Sequence, residues 1–402
     1  MVAIIKSSIY ARHGIDRAIW IALLCVVGTA IFSIALLQLA IGVLAALWLV
    51  AFVRSSSVGF RSTVLDLPML AFISGRALSV PFSVHPEISA HALYIEIIFY
   101  AAFFVFTNTL RVDRENEMII LIQMLVLTAV LAAAVGIGKY AFGISQRASS
   151  TTSGPYTLSL YLVAALPFAL FFAGDSRFFK NRQYAFAAIA VLVLGVIFSL
   201  DRMHWIVMAA TLVVVAIITK DRRPLIAFVL VMTAAVLVVP EVALRFQLTL
   251  TFLSHSTGRD VLWRGAAMLY ADHPLVGFGP RTFREIFPLM SELSDKGAGS
   301  WHNDFLQVYM ESGLVGLVPL LWLITAAFSS VIKAFRSTKL SLLHRQILFP
   351  LLVSASVFFI AGGMLDTIVG MVFRFNLAAI ALMTTGLGNK SVWEPNLRQE
   401  VC

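Results

Sequence analysis

Long apolar runs, separated by short polar segments, recur along almost the whole chain. A transmembrane helix needs about 20 mainly apolar residues, and these runs reach or approach that length. The run over residues 18–53 is too long for one span, so we predict two spans there with a turn near Leu37–Gln38. Ten further spans are predicted at 64–82, 89–109, 117–142, 155–174, 183–200, 203–219, 224–240, 303–330, 346–363 and 371–388. The pattern therefore predicts an all-α, polytopic integral membrane protein of about twelve transmembrane helices, forming a single domain over residues 1–402.

One connection is much longer than the others and covers residues 241–302. Within it, "GRDVLWRGAAMLYADHP" has apolar residues at helical spacing, which predicts a short helix over 259–271. Pro274 disfavours helix at the residue before it, "GFGP" is typical of a turn, and "SDKGAGS" is typical of a linker. We therefore expect one large loop that contains short helices.

Composition and charge agree with a membrane protein and orient it. The chain is 60% hydrophobic and 13% charged, whereas soluble domains are about 25% charged. Most of its 30 lysines and arginines fall in the segments that share a side with the N-terminus. The positive-inside rule then predicts that both termini are cytoplasmic and that the 241–302 loop lies on the opposite face. The net charge of +9 is explained by this rule and by anionic lipid, so nucleic acid is not an expected partner.

Two features of the chain exclude other classes of site. Cys25 lies inside the first apolar run and Cys402 is the last residue, which supports neither a disulfide framework nor a thiolate metal site. The chain has no HExxH motif and no Asp-x-Asp pair suited to a divalent cation on a phosphate, so no catalytic metal is predicted. The first apolar run follows three basic residues without an obvious cleavage site, and we expect it to be an uncleaved anchor.

Among the cations on the outer side of this layout, the side that the positive-inside rule depletes, six stand in unusual places. Snorkelling toward headgroups explains any one of them, but it does not explain why they gather on that face. An anionic ligand, such as a lipid-linked phosphate held by guanidinium forks, explains the whole set. The six are Arg147, Arg202 and Arg259 in outer segments, and Arg76, Lys139 and Arg374 toward the outer ends of spans.

His302 directly precedes the predicted span at 303–330, in "WHNDFLQVYM". Asn303 or Asp304 can cap that helix, whose partial positive charge disfavours an imidazolium. A neutral imidazole suits a general base, but an interfacial histidine beside Trp301 in an aromatic belt explains the pattern equally well. His204 lies on the same outer side.

Four motifs together resemble the O-antigen ligase and polymerase family of bacterial envelopes. "WHNDFLQVYMESGLVGLVPLL" is similar to its hallmark, in which a His-Asn pair opens a transmembrane helix. "GRDVLWRGAAMLYADHPLVGFGPRTF" resembles the preceding block and "FSLDRMHW" the Ser-x-x-Arg block. "QRASSTTSGPYTLSLYL" resembles an Arg-x-x-Gly block but has Thr157–Ser159 where an asparagine is common.

The resemblance implies an inverting, metal-independent and cofactor-free glycosyltransferase with a GT-C-like fold, acting at the periplasmic face of the bacterial inner membrane. Its donor would be a glycan on undecaprenyl diphosphate, and its acceptor a sugar hydroxyl such as one on lipid A core. The alternative within the family is an O-antigen or exopolysaccharide polymerase; a lipid-linked oligosaccharide flippase is more distant. The carried-over roles are His302 as base, Arg147, Arg202 and Arg259 on the diphosphate, Arg281 as a further phosphate or sugar contact, and Arg76, Lys139, Arg374, Asn303 and His204 as support.

Overall fold

A computed structural model describes residues 9, 12, 14–54, 60–112, 114–151, 154–250, 258–293, 299–337, 342–362 and 371–385. Within its helices, the side chains of 115, 250, 259, 342–344, 358–362 and 371–376 lie outside this description. The described residues form sixteen helices and no strand. In chain order these are α1 Gly14–Thr29, α2 Ile34–Arg54, α3 Asp66–Ser79, α4 Pro86–Thr109, α5 Glu115–Ala141, α6 Pro155–Phe171, α7 Arg182–Phe198, α8 Arg202–Thr219, α9 Arg223–Val238, α10 Pro240–Leu250, α11 Arg259–Leu269, α12 Phe283–Ile286, α13 Met290–Leu293, α14 Asp304–Arg336, α15 Leu342–Gly362 and α16 Met371–Thr385.

The all-helical, polytopic prediction is confirmed, and a helix lies in each of the twelve predicted segments. Among the described residues, five helices are long and apolar enough to cross a membrane by themselves, and the bent α9–α10 pair brings the number to six. The five are Ile34–Arg54, Pro86–Thr109, Asn116–Ala141, Arg202–Thr219 and Asp304–Arg336. The structure thus supports several spans, and the number twelve stays a prediction.

The predicted turn near Leu37–Gln38 is wrong. The chain turns at residues 30–33, and Leu37 is buried in the first turns of α2. The hydroxyl of Ser33 accepts a hydrogen bond from the backbone N–H of Leu36 at 3.2 Å, which is the interaction of an N-cap. Both helices are apolar around the turn, so hydropathy alone did not mark it.

The core of the bundle is centred on α6. Every residue from Leu158 to Ala169 is buried, because α6 is surrounded by α5, α7, α8 and α15. A helix that is apolar on all sides is stable only in such a position. The approach of α7 is close: a Cβ on Gly195 would lie 2.6 Å from the Leu162 side chain.

The predicted large loop has its own small core. The helix predicted at 259–271 is observed as α11, and α10 occupies the start of the loop at a bend of 113° from α9. The Trp301 indole is 2% exposed and meets the Phe283 ring edge-on, with 4.9 Å between ring centroids. This core fixes the loop on the N-terminal end of α14. Its buried residues are Val261, Leu262, Ala266, Phe278, Phe283, Phe287, Leu293, Trp301 and Met310.

Candidate functional site

The helix that follows His302 is broken, and the large loop crosses it at the break. Gly313 of α14 has φ 56° and ψ −154°, so the regular hydrogen bonds of the helix are interrupted around it. Residues 274–279 replace those bonds. The four bonds run from Leu314 N–H to Pro274 C=O (2.9 Å), Val315 N–H to Leu275 C=O (3.0 Å), Phe278 N–H to Met310 C=O (2.8 Å) and Gly279 N–H to Glu311 C=O (2.9 Å). The crossing therefore gives hydrogen-bond partners to backbone groups that would be energetically costly to leave unpaired in a membrane.

Glycines make this crossing possible. Gly277 and Gly279 have φ of 69° and 107°, a region that L side chains rarely adopt, which confirms their prediction as turn formers. A Cβ on Gly277 would lie 2.5 Å from backbone atoms of Glu311, and one on Gly313 would overlap the backbone of Leu275. The sequence pattern around Gly313 is typical of a helix-packing glycine, but its left-handed backbone shows that Gly313 forms the break itself.

Alanine at Gly313 is expected to lower the free energy of unfolding by about 1–3 kcal/mol, because the left-handed backbone and the crossing loop both oppose a side chain. The measurement is thermal unfolding of the purified protein in detergent. Gly138→Ala is the matched control, since Gly138 lies in α5 and a Cβ added there would have no atom within 4 Å. Equal midpoints for the two variants would contradict this account of the break.

A buried ion-pair network lies beside the break. The Arg76 side chain of α3 donates to Glu311 of α14 at 2.6 Å and to Glu96 of α4 at 2.9 Å. The Tyr100 hydroxyl donates to the same Glu96 oxygen at 2.7 Å, and the Ser312 hydroxyl lies 3.2 Å from Arg76. All three charged residues are at most 3% exposed. The network joins three helices at the level of the loop crossing.

This placement changes the interpretation of Arg76. The sequence predicted that Arg76 supports the binding of an anionic ligand on the outer face. In the structure, both terminal nitrogens of the Arg76 guanidinium are bonded to buried carboxylates of the protein. Glu96 and Glu311 were not among the residues predicted from the sequence. The sequence did mark both residues, because a carboxylate inside an apolar run is rare and normally has a partner.

Arg147 and Arg202, predicted from distant motifs, are brought to one corner at the N-terminal end of α8. The Arg147 side chain donates to the Ser199 carbonyl at 2.7 Å, in the turn between α7 and α8. Lys139 supports the segment that carries Arg147 through a 2.9 Å bond to the Ser150 carbonyl. Arg202 begins α8 and donates to the Leu248 carbonyl of α10 at 2.5 Å. We refer to Arg147, Arg202 and Arg245 as the arginine corner.

The arginine corner brings cations together at a partly buried position. Burial lowers the pKa of Arg147; Asp201 opposes this shift, and the nearby positive charge of Arg245 adds to it. An arginine still keeps its proton at any physiological pH. The corner therefore holds cations that an added anion would stabilise, and planar guanidinium groups match the oxygens of a phosphate.

A buried histidine–aspartate pair supports the corner. Asp201 caps α8 by accepting from the Met203 N–H at 3.1 Å, and its second oxygen lies 3.0 Å from Nδ1 of His204. The His204 ring is fully buried and meets the Tyr156 ring edge-on at 5.4 Å. A supporting role was predicted for His204. In the structure its ring lies against the Asp201 carboxylate, which it can orient. Leu200, just before the pair, has a left-handed φ of 55°.

An apolar groove of about 440 Å³ runs beside α8, starting within one turn of Arg202. Its walls come from α8, α9 and the bent α10, and the polar side chains among its described lining residues are two threonines and one tryptophan. The groove lining includes Trp205, Ala209, Phe228, Met232, Leu237 and Phe246. A cationic corner next to a long apolar groove is complementary to an amphiphile with an anionic head.

His302 lies at the entrance to α14. The side chain of Asn303 caps this helix by accepting from the Leu306 N–H at 3.0 Å, which confirms the predicted cap. His302 itself has φ 49° and is partly exposed. Of the four non-glycine residues with positive φ in the described chain, two are the predicted site residues Arg281 and His302, and a third, Leu200, lies two residues before Arg202. Strained backbone of this kind is concentrated at functional sites.

The predicted site residues fall into separate groups. The described residues contain no hydrogen bond or ion pair between His302 and Arg147 or Arg202. The side chains of Arg259 and Arg374 lie outside the described part of the chain; Arg259 begins α11. Arg281 is 52% exposed and its Nε lies 3.5 Å from Glu96. Among the described residues, no group of three or more His, Cys, Asp or Glu side chains is arranged to hold a metal ion.

The helices and their apolar surfaces define the class of this chain, a polytopic helical membrane protein. Residues 186–321 match the family model Wzy_C, described as O-antigen ligase; the chain therefore carries an O-antigen ligase domain and is a glycosyltransferase-type enzyme. The match runs from α7 into α14 and includes Arg202, Arg259, Arg281 and His302. It confirms the family resemblance and implies lipid-linked glycan substrates in general. No curated protein matches the chain.

Proposed function

We propose that the protein is an inverting, metal-independent glycosyltransferase of the O-antigen ligase type. It transfers a glycan from undecaprenyl diphosphate to a sugar hydroxyl of an acceptor such as lipid A core. The reaction takes place at the periplasmic face of the bacterial inner membrane, with twelve spans and both termini cytoplasmic. The observation that carries the proposal is the arginine corner beside the apolar groove.

The corner and the groove fit the two parts of the donor. The diphosphate is the leaving group, and its charge increases as the glycosidic bond breaks, so preorganised cations stabilise the transition state. Arg147 and Arg202 supply such cations, and Arg259 is proposed to join them from the N-terminus of α11. The polyprenyl chain occupies the apolar groove along α8 and α9.

His302 is the proposed general base. A sugar hydroxyl is a weak nucleophile and needs a proton acceptor within hydrogen-bond reach. The Asn303 cap and the left-handed backbone at His302 fix the direction in which the His302 side chain projects from the backbone. In an inverting reaction the acceptor oxygen attacks the anomeric carbon from the side opposite the diphosphate, while the base takes its proton.

Arg202→Ala is expected to weaken donor binding about 10- to 100-fold, the loss of one charge-assisted hydrogen bond. Arg202→Lys should recover little, because lysine restores the charge but not the planar fork. The measurement is equilibrium binding of undecaprenyl-diphosphate glycan to the protein in nanodiscs. Arg264→Ala is the matched control, since Arg264 lies in α11 of the large loop, outside the arginine corner, and its 2.6 Å pair with Glu292 is exposed.

Donor affinity that is unchanged in Arg202→Ala would contradict the assignment of the arginine corner. Reconstituted transfer separates the ligase from a polymerase of the same family: a ligase glycosylates lipid A core, whereas a polymerase lengthens the lipid-linked glycan. Activity that is abolished by a chelator and restored by a divalent cation would overturn the metal-independent mechanism.

A further inference from the structure

A second recess lies away from the arginine corner, at the N-terminal end of α4. It has a volume of about 310 Å³ and is lined by Glu87, Ile88, His91, Ala92 and Ile95 of α4 and by Arg281 of the large loop. Glu87 and His91 are exposed and one helical turn apart, so they lie on the same face of α4. The proposed donor site uses none of the α4 residues.

Arg281 is held in this recess by the buried network. Its Nε lies 3.5 Å from one oxygen of Glu96, whose other oxygen is bonded to Arg76 and Tyr100. The Arg281 backbone is left-handed, at φ 58°, and its N–H faces the Glu311 carboxylate. About half of the side chain remains exposed, so part of the guanidinium is available to a ligand in the recess.

The turn that carries Arg281 is also fixed to the start of α4. The Ser83 hydroxyl donates to the Phe278 carbonyl at 3.0 Å, and the Ser89 hydroxyl donates to the Pro280 carbonyl at 3.1 Å. These bonds are buried, so Arg281 keeps a constant distance from the Glu87–His91 face. A rigid frame of this kind is what a specificity site needs.

The chemistry of the recess matches a neutral sugar. The guanidinium offers N–H donors, the Glu87 carboxylate accepts, and the His91 imidazole can do either, which suits the hydroxyls of a sugar. The apolar side chains of Ile88, Ala92 and Ile95 can cover the C–H face of a sugar ring. An anion is less suitable, because it would meet Glu87 and the Glu96 carboxylate that already faces Arg281.

The position of the recess points to the acceptor. The backbone of Arg281 contacts Glu311. Glu311 lies seven residues after Asp304, the first residue of α14, and a helix rises about 1.5 Å per residue. Glu311 is therefore about 10 Å along the helix from the end that His302 precedes. A sugar in the recess is therefore not the one that reacts at His302, but one farther along the same chain. We propose that Glu87, His91 and Arg281 form a subsite for a sugar of the acceptor glycan, remote from the reacting hydroxyl. This proposal rests on the proposed function.

The test compares a core oligosaccharide freed of lipid A with the monosaccharide that terminates it, both as acceptors. For the oligosaccharide, His91→Ala and Glu87→Gln are each expected to raise KM about tenfold with kcat unchanged. For the monosaccharide, neither KM nor kcat should change, because it cannot span both sites. Arg281→Gln should act in the same way. Tyr94→Ala, on an exposed position of α4 outside the recess, is the matched control.

Equilibrium binding of the same oligosaccharide without donor keeps this test independent of transfer. If the wild type binds it and His91→Ala weakens binding about tenfold, the subsite stands even where no glycan is transferred. Equal effects of the recess substitutions on both acceptors would overturn the proposal, as would a change in donor affinity. The absence of oligosaccharide binding to the wild type would also overturn it. His91 and Glu87 have no bond to the buried network, so their variants are expected to fold.

Discussion

Replacement of His302 by asparagine is expected to lower kcat for glycan transfer by about 10²- to 10⁴-fold, the usual contribution of a general base. Asparagine is chosen because it tolerates the left-handed backbone that His302 adopts at φ 49°, so the loss reports the missing base and not a distorted chain. Donor binding should stay at the wild-type level, because the arginine corner forms no bond with His302. The effect on kcat/KM should be as large as the effect on kcat.

The measurement combines steady-state transfer by the reconstituted protein with equilibrium binding of the lipid-linked donor. His85→Asn is the matched control: His85 is another partly exposed histidine directly before a helix, at the N-cap of α4. It should change kcat less than about twofold. Transfer by His302→Asn at the wild-type rate would remove His302 from the reaction and leave the base unassigned.

Most helices of the bundle were predictable because they are long apolar segments bounded by polar residues, and such a segment satisfies its backbone hydrogen bonds in a membrane by forming a helix. The loop helix α11 was predictable from its apolar spacing, and Asn303 from its position before α14. Where hydropathy does not change along the chain, the pattern does not show where one helix ends and the next begins. The turn at residues 30–33 lies between two apolar helices, and only the hydroxyl of Ser33 marks it.

The interior of the site was less predictable, because it depends on pairs that are far apart in sequence. The sequence shows a cation at Arg76 but not that its partners Glu96 and Glu311 lie 20 and 235 residues away. The break at Gly313 has the same origin, since residues 274–279 supply the hydrogen bonds that open the helix there. Family motifs singled out Arg147 and Arg202 in the sequence, while their common corner follows from the contact of the 147 segment with the α7–α8 turn.

Arg76→Met is expected to lower the free energy of unfolding by about 3–5 kcal/mol, since it leaves two buried carboxylates without their common cation. Arg76→Lys should retain only part of the wild-type stability, because one ammonium cannot reproduce the guanidinium fork that reaches both α4 and α14. Thermal or denaturant unfolding of the purified protein in detergent measures this. Arg264→Met is the control: its ion pair is exposed, and its loss should cost less than about 0.5 kcal/mol.

A double-mutant cycle separates the ion pair from simple packing. Glu311→Gln removes one carboxylate charge with little change in shape, so Arg76→Met combined with Glu311→Gln leaves one buried carboxylate without the Arg76 cation instead of two. The double variant should therefore be more stable than the sum of the single losses predicts, by about 0.5–3 kcal/mol. Strict additivity would show that Arg76 and Glu311 act through packing alone. A coupling of the expected sign would establish that charge pairing holds α14 to α3 at the break, beneath the loop that carries Arg281.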